Sequence, residues 1–255
     1  MTVFSPYPPC PVKTEPIILS WSGGKDSALA LARLRADPRV RVVALLTTVT
    51  AGYDRVSIHG VRRTLLHAQA AALGVPVHEV TLQPESSNQA YDAALATALG
   101  EVRERWPDVR RVAFGDIFLQ DVRQYREERI AAAGFDGIFP LWGEPPAELA
   151  REVIACGIRA RLVCVDTQAL SAEFAGRAYD AELLAELPAG IDPCGENGEF
   201  HTFVSAGPGF GAPVPYTVGE VVMRGDRFAY CDLLPAEQGD EDVSHAGPAD
   251  VLPGA

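Results

Sequence analysis

The chain has 255 residues, of which 47% are hydrophobic and 22% charged, and this composition excludes a disordered chain because enough apolar mass exists to form a core. No uninterrupted apolar run approaches about 18 residues, so we expect no membrane span. The N-terminus lacks a basic region followed by an apolar stretch, which favours a cytoplasmic protein. The net charge of −12 argues against broad nucleic-acid binding. The five cysteines form no C-x-x-C pair, so neither a disulfide framework nor a zinc ribbon is indicated.

From residue 17 onward, short β-branched runs alternate with amphipathic helical patterns. The predicted strands are IILSW, RVVALLTTV, PVHEVTL and RRVAFGD. The predicted helices are DSALALARLRA, VRRTLLHAQAAALG, residues 88–105 and QDVRQYREERIAAAG. Because each helix returns the chain to the same edge of the sheet, this alternation requires parallel pairing. The sequence therefore predicts an α/β fold, a doubly wound parallel sheet with helices on both faces.

The pattern changes after Pro140. A helix, PPAELAREVIACG, and a strand, IRARLVCVD, precede a Gly/Pro/Asp-rich passage, and a β-hairpin is predicted to turn at residues 225–226. We expect a flexible arm over residues 1–15, a larger domain that holds the predicted parallel sheet over 16–144, a smaller α+β subdomain over 145–234, and a disordered acidic tail over 235–255.

A glycine-rich hexapeptide, S-G-G-K-D-S, follows the first predicted strand and opens the first helix. Its residues are Ser22, Gly23, Gly24, Lys25, Asp26 and Ser27. At this point an open α/β sheet binds phosphate, because glycines allow close approach and the helix N-terminus presents unpaired N–H groups. An acid beside phosphate suits a magnesium ligand or a helix cap. The simpler alternative is a tight turn with Asp26 as the cap. The spacing fits neither a Walker A motif nor G-x-G-x-x-G.

A second polar string, D-P-C-G-E-N-G-E-F-H-T-F, occupies residues 192–203. Four ionisable residues in a short segment are not tolerated in a core without partners. The string is therefore either a solvated loop with Asx turns or part of a site. Within it, Cys194 is either a nucleophile close to His201 or a structural thiol.

These two strings resemble the motifs of a known family. The hexapeptide is the signature of the PP-loop, or N-type, ATP pyrophosphatases, whose fold is that of the adenine nucleotide α-hydrolases. The second string is similar to the D-P-C-G-E-N-G-E-[FY]-H-T-F-V motif of the diphthine–ammonia ligase family. The resemblance spans residues 17–210 and extends to four further segments: Ser57-Ile58-His59, Gly115-Asp116-Ile117, the pair Arg126 and Glu128, and Pro140-Leu141-Trp142. The chain departs from the family at Arg129-Ile130, where Val-Cys is usual.

The resemblance implies an ATP-dependent, AMP-forming carboxylate–ammonia ligase that uses ATP and Mg²⁺. The residues expected to bind ATP are Ser22, Gly23, Gly24, Lys25, Asp26, Ser27, His59, Gly115, Asp116 and Arg126. The residues expected to be catalytic are Asp26, Glu196, Asn197, Glu199 and His201, with Asp26 also the magnesium ligand. Asp116 could instead cap a helix, and Arg126 could belong to a solvated salt-bridged face.

The expected partners are ATP, ammonia and a carboxylate-bearing acceptor, either a small molecule or a modified protein side chain. The Arg and Ala bias is typical of bacteria, which are not expected to carry diphthamide, so the acceptor is left open. A homodimer is also left open, and neither a membrane nor a nucleic acid is expected. Two alternatives remain, a PP-loop enzyme that modifies tRNA and an ATP-binding sensor without turnover.

Overall fold

A parallel sheet forms the larger part of the structure, which is a computed structural model that describes residues 14–236. The sheet order is β4-β2-β1-β5-β6, all parallel, and the short β3 pairs antiparallel with β2. The strands are β1 Glu15–Ser20, β2 Val40–Thr50, β3 Arg55–Val56, β4 Val77–Leu82, β5 Arg111–Ala113 and β6 Asp136–Ile138. The expected arm over 1–15 and tail over 235–255 lie almost wholly outside the described residues.

Helices cover both faces of this sheet. Successive residues of β1 point to opposite sides, so Ile17 and Leu19 pack with α1 and α2 whereas Ile18 packs with α3 and α4. The helices are α1 Lys25–Ala36, α2 Arg63–Leu73, α3 Asn88–Arg105, α4 Gln120–Ala132, α5 Pro146–Ala155 and α6 Ala181–Glu186. The predicted doubly wound α/β fold is confirmed. No helix within the described range is long and apolar enough to cross a membrane.

A second, antiparallel sheet of order β8-β7-β10-β9 follows. Its strands are β7 Arg159–Asp166, β8 Phe200–Ala206, β9 Tyr216–Arg224 and β10 Phe228–Pro235. Strands β9 and β10 form the predicted hairpin, and Gly225 and Asp226 both take positive φ at its turn (+59° and +54°), as tight hairpins require. Most of the buried apolar side chains of this sheet belong to the same core cluster as those of α1 and α2.

Four of these strands and helices were missed in the sequence, namely β3, β6, α6 and β8. Strand β3 has only two residues. Strand β6 has three residues, including Gly137, and α6 has six, so neither is long enough to establish a periodicity. Strand β8 directly follows the Gly/Pro/Asp-rich passage, which masked its start, although only two of its seven residues are not buried.

Gly115 lies where β5 approaches the start of α1, and a Cβ added there would lie 2.9 Å from the carbonyl carbon of Asp26 and 3.0 Å from the amide nitrogen of Ser27. Both atoms are backbone and cannot swing away. We expect Gly115→Ala to lower the free energy of unfolding by about 1–3 kcal/mol. Gly100→Ala is the matched control, because that glycine lies inside α3 with open space around it. In the control, the free energy of unfolding should rise by about 0.5–1 kcal/mol. Equal urea midpoints for both variants would contradict the close packing at Gly115.

Candidate active site

The loop after β1 is bonded to β8 of the second sheet. The amide of Val204 donates to the carbonyl of Gly23 at 2.9 Å. The amide of Lys25, the first residue of α1, donates to Oγ1 of Thr202 at 3.0 Å. A helix leaves its first N–H groups without intrahelical partners, and here a side chain from the other sheet accepts from one of them. The position of the loop therefore depends on β8.

Gln69 on α2 adds a second connection between the same two segments. Its side-chain amide nitrogen donates to the carbonyls of Gly23 (3.0 Å) and Val204 (2.7 Å), and its oxygen accepts from the indole N–H of Trp21 at 3.1 Å. Gly23 has φ +80°, and a Cβ there would lie 2.7 Å from the Gln69 amide oxygen. Sequence reasoning missed Gln69. The available signal was its place on the apolar face of α2, beside Leu65 and Leu73.

The two serines of the loop face one another at the start of α1. Their hydroxyl oxygens lie 3.3 Å apart, the Gly24 amide donates to Ser22 Oγ at 3.2 Å, and Ser27 Oγ donates to the Gly24 carbonyl at 2.8 Å. Gly24 is the N-cap residue and no side chain caps it. Asp26 is thus not the helix cap that the simpler alternative required. The hydroxyls lie at the positive end of the helix, where an anion is stabilised.

The ammonium of Lys25 is buried beneath the 192–203 segment. Its Nζ donates to both carboxylate oxygens of Asp26, at 3.0 and 2.9 Å, and to the carbonyl of Cys194. The rings of Tyr179 and Phe200 lie 5.4 and 5.3 Å from the same nitrogen, within cation–π range. This places the Lys25 charge inside the structure, next to Asp26.

Burial and pairing act in opposite directions on this ion pair. Burial alone would lower the pKa of Lys25, but the nearby carboxylates of Asp26 and Asp192 contribute to raising it above its ordinary value. Burial also raises the pKa of Asp26, although the Lys25 ammonium favours its charged form. Lys25 is therefore a fixed cation, and it compensates the acidic groups around it.

The 192–199 segment is a hydrogen-bonded turn and not a solvated loop. The carboxylate of Asp192 accepts from the amides of Cys194 (3.0 Å) and Glu196 (2.8 Å). One oxygen of Glu199, Oε1, accepts from the Asp192 amide at 3.2 Å and the Asn197 side-chain amide at 3.0 Å. The other, Glu199 Oε2, is buried and has no hydrogen-bond partner among the described residues. A buried carboxylate oxygen without a donor is costly, which is expected where a ligand completes the site.

Glu196 joins this turn to the segment after β5. Its Oε1 accepts from the amide of Ile117 at 2.8 Å. Burial raises the pKa of Glu196 to about 7, and the neighbouring Asp26 and Asp116 contribute to the rise. Burial likewise raises the pKa of Asp116, against the guanidinium of Arg126, whose Nε lies 2.9 Å from its carboxylate. Asp116 and Arg126 therefore pair with each other. Asp116 is not a helix cap, and Arg126 is not part of a separate surface face.

Two histidines lie against the other side of the loop. The rings of His59 and His201 are 4.7 Å apart, and Nδ1 of His59 lies 3.2 Å from the carbonyl of Thr202. Burial lowers the pKa of His59 to about 4 and that of His201 to about 3. Both rings are therefore neutral at pH 7. His59 also lies next to Gly24, where a Cβ would approach its Cε1 to 3.1 Å.

Cys194 has the environment of a structural thiol. Its Sγ lies 3.3 Å from the carbonyl of Pro146, and the side chain is buried. Burial raises the pKa of Cys194 to about 12, so almost no thiolate is present at neutral pH. This environment opposes the covalent role considered for it above.

A small recess opens beside the loop, on the α3–α4 side of the sheet. It lies at the carboxyl ends of β1, β2 and β5, the edge at which open α/β sheets bind ligands. Its wall includes Ser20 and Thr48 from the strands, Phe114 directly after β5, and Tyr91 and Arg126 from the helices. The recess is thus continuous with the Asp116–Arg126 pair.

Comparison with known proteins shows the family to which the chain belongs. The chain matches the family model of the diphthamide synthase N-terminal domain over residues 15–134, and that of the C-terminal domain over residues 145–221. The chain belongs to the diphthamide synthase family. It is also 28% identical over 231 residues to human diphthine–ammonia ligase, covering 82% of this chain and 85% of the relative. The resemblance seen in the sequence motifs is confirmed, and in this family the loop and the 192–203 segment fall in different matched domains.

The raised pKa of Glu196 predicts a specific pH dependence of stability. The folded state holds the Glu196 proton more tightly than the unfolded chain, where the pKa is about 4.5. The stability it contributes is therefore complete below pH 4.5 and is lost as the pH rises through about 7. When the pH is raised from 5 to 8, the free energy of unfolding should fall by about 1–2 kcal/mol less in Glu196→Gln than in the wild type. This range is reduced because the Glu196 side chain is partly exposed.

Urea unfolding of both proteins at the two pH values measures this difference. Glu104→Gln is the control, because Glu104 is exposed on α3. A pH difference for Glu196→Gln equal to that of the wild type would show that Glu196 ionises without cost.

Proposed function

We propose that the protein is an ATP-dependent ligase that adenylates a substrate carboxylate, releasing pyrophosphate, and then lets ammonia displace AMP to form an amide. One observation carries this proposal. The glycine-rich loop and the buried acidic turn are connected by hydrogen bonds that involve Thr202, Val204 and Lys25. A nucleotide on the loop and an acceptor at the turn would then meet at one place.

ATP is assigned to the loop and the recess beside it. The hydroxyls of Ser22 and Ser27 and the first turn of α1 would hold the phosphates, and Gly23 and Gly24 leave the backbone open to them. The nucleoside would extend toward Asp116 and Arg126, at the carboxyl edge of the sheet. Of the remaining ATP-binding candidates, Gly115 allows the loop to approach β5, and His59 packs beside Gly24.

Magnesium fits this site only as an ion bound largely through the phosphates. Within residues 14–236, no three His, Cys, Asp or Glu side chains form a group suited to a metal ion. Mg²⁺ commonly takes one or two carboxylates together with substrate phosphates, and Asp26 is the carboxylate at the loop. When bound, the ion would neutralise phosphate charge. Asp26 would hold it while remaining next to Lys25.

The acceptor side is assigned to the 196–201 part of the turn. The unpartnered Oε2 of Glu199 supplies a buried acceptor for an N–H donor such as ammonium. Glu196, with its pKa of about 7, is suited to take a proton as ammonia attacks. The neutral rings of His59 and His201 can donate or accept without adding charge. Asn197 orients Glu199 through its side-chain amide.

The reaction requires activation because a free carboxylate is a poor acyl donor and AMP is a good leaving group. The protein's contribution is to position the two substrates and to stabilise charge as the α–β phosphate bond opens. The human relative is named for diphthine and ammonia. For this chain we propose the same bond chemistry, with a carboxylate as the class of acceptor and its identity left open.

The nucleotide products distinguish this mechanism from its alternatives. We expect AMP and pyrophosphate, formed at a significant rate only with the correct acceptor. An acceptor carboxylate labelled with heavy oxygen should transfer one labelled atom to AMP, because its oxygen forms the bond to the α-phosphorus. Mass spectrometry of the nucleotide measures this. ADP would refute the mechanism, and AMP without label would exclude the acyl-adenylate. ATP binding without any turnover would favour the sensor alternative.

Glu199→Gln tests the acceptor side separately. The amide oxygen can keep the contacts to Asp192 and Asn197, so the fold and ATP affinity should be retained while product formation falls by at least about 100-fold. Titration calorimetry with ATP and an AMP-release assay give the two readouts. Glu173→Gln, exposed on the same subdomain, is the matched control. Wild-type turnover in Glu199→Gln would make the turn purely structural.

A further inference from the structure

Strand β9 is an open edge of the antiparallel sheet. It runs for nine residues and pairs only with β10, so one side of its backbone is unpaired within the described chain. Its last five residues, 220–224, are all exposed. Long apolar edges favour pairing with another strand, and proteins usually protect them with charged side chains, proline, β-bulges or a covering element. In the part of the chain that the structure describes, none of these protects the three residues 221–223.

The exposed side chains continue the apolar core. Val221 and Met223 stand opposite Cys231 and Ala229 of β10, which are buried in the main core cluster, yet each remains 49% exposed. Val222, on the other face, is 44% exposed. Within residues 14–236, the core therefore ends at β9 without a covering element, on the side where a further strand would lie.

The charges on this edge are self-complementary. Glu220 and Arg224 are exposed, and neither has an ion pair among the described residues. In an antiparallel ladder between two copies, the two-fold axis passes through one self-paired residue. An axis at Val222 sets Val221 opposite Met223 and Glu220 opposite Arg224, twice each. An axis at Glu220 would oppose two glutamates, and one at Val221 would leave both charges without partners.

The geometry points to a homodimer in which β9 pairs antiparallel with β9 of a second copy, centred on Val222. The two four-stranded sheets would become one continuous eight-stranded sheet. Two Glu220–Arg224 ion pairs would flank an apolar centre made of Val221, Val222 and Met223. Because the ladder is short, we expect dissociation in the micromolar range.

Sedimentation velocity of the full chain tests this pairing at concentrations from about 1 to 200 µM. Wild type should change from monomer to dimer over this range. Glu220→Arg and Arg224→Glu each oppose like charges at two symmetric positions, so each should weaken the dimer about ten-fold or more. The double variant restores opposite charges and should recover wild-type dissociation to within about three-fold. Both side chains are exposed, and unfolding midpoints check that the fold is retained.

Three results would overturn the proposal. If the wild type were monomeric at every concentration, β9 would not pair with a second copy, and its edge would be free to pair with a strand of another protein. A dimer unaffected by either single variant would use another face of the molecule. A double variant as weak as the single variants would exclude the Val222-centred register.

Discussion

The structure depends on the hydrogen bonds that join the loop after β1 to β8. A glycine-rich loop has high conformational entropy, and alone it would not hold the backbone geometry that an anion requires. Here Val204 and Gln69 both donate to the carbonyl of Gly23, while Thr202 accepts from the amide of Lys25. These partners are buried, so water competes weakly for them. The second sheet therefore helps to fix the conformation of this loop.

Lys25 balances the charge of this arrangement. The site brings together the carboxyl groups of Asp26, Asp116, Asp192 and Glu196, and burial raises the pKa of three of them, Asp26, Asp116 and Glu196. One buried ammonium between the loop and the Cys194 carbonyl offsets part of that repulsion. A truncated side chain at position 25 would leave the Asp26 carboxylate unpaired, which costs more than the ion pair itself contributes.

The sequence was sufficient for four strands of the main sheet, β1, β2, β4 and β5, and for the segments that form the site. Alternation of strands and helices predicts parallel pairing, and the hexapeptide and the 192–203 string both contribute to one site. The contacts between segments that are distant along the chain could not be predicted from the sequence. Gln69 reads as one polar residue in an apolar helix, and only the fold places it between Gly23 and Val204. The burial of Lys25 was also unexpected, because a lysine in a glycine loop ordinarily contacts phosphate directly. Nothing in local periodicity reveals the Cys194 carbonyl that faces it.

The open edge and the site share one sheet. Strand β10 lies between β9 and β7, and its Asp232 accepts hydrogen bonds from Arg55 (2.8 Å) and Arg62 (2.6 Å), on either side of His59. Although burial opposes it, the two guanidinium groups lower the pKa of Asp232 to about 2, so this connection is charged at any working pH. The ring of Tyr230, also on β10, packs against Gly60. A strand added at β9 would therefore restrain β10 and, through Asp232, the segment that places His59 beside the loop after β1.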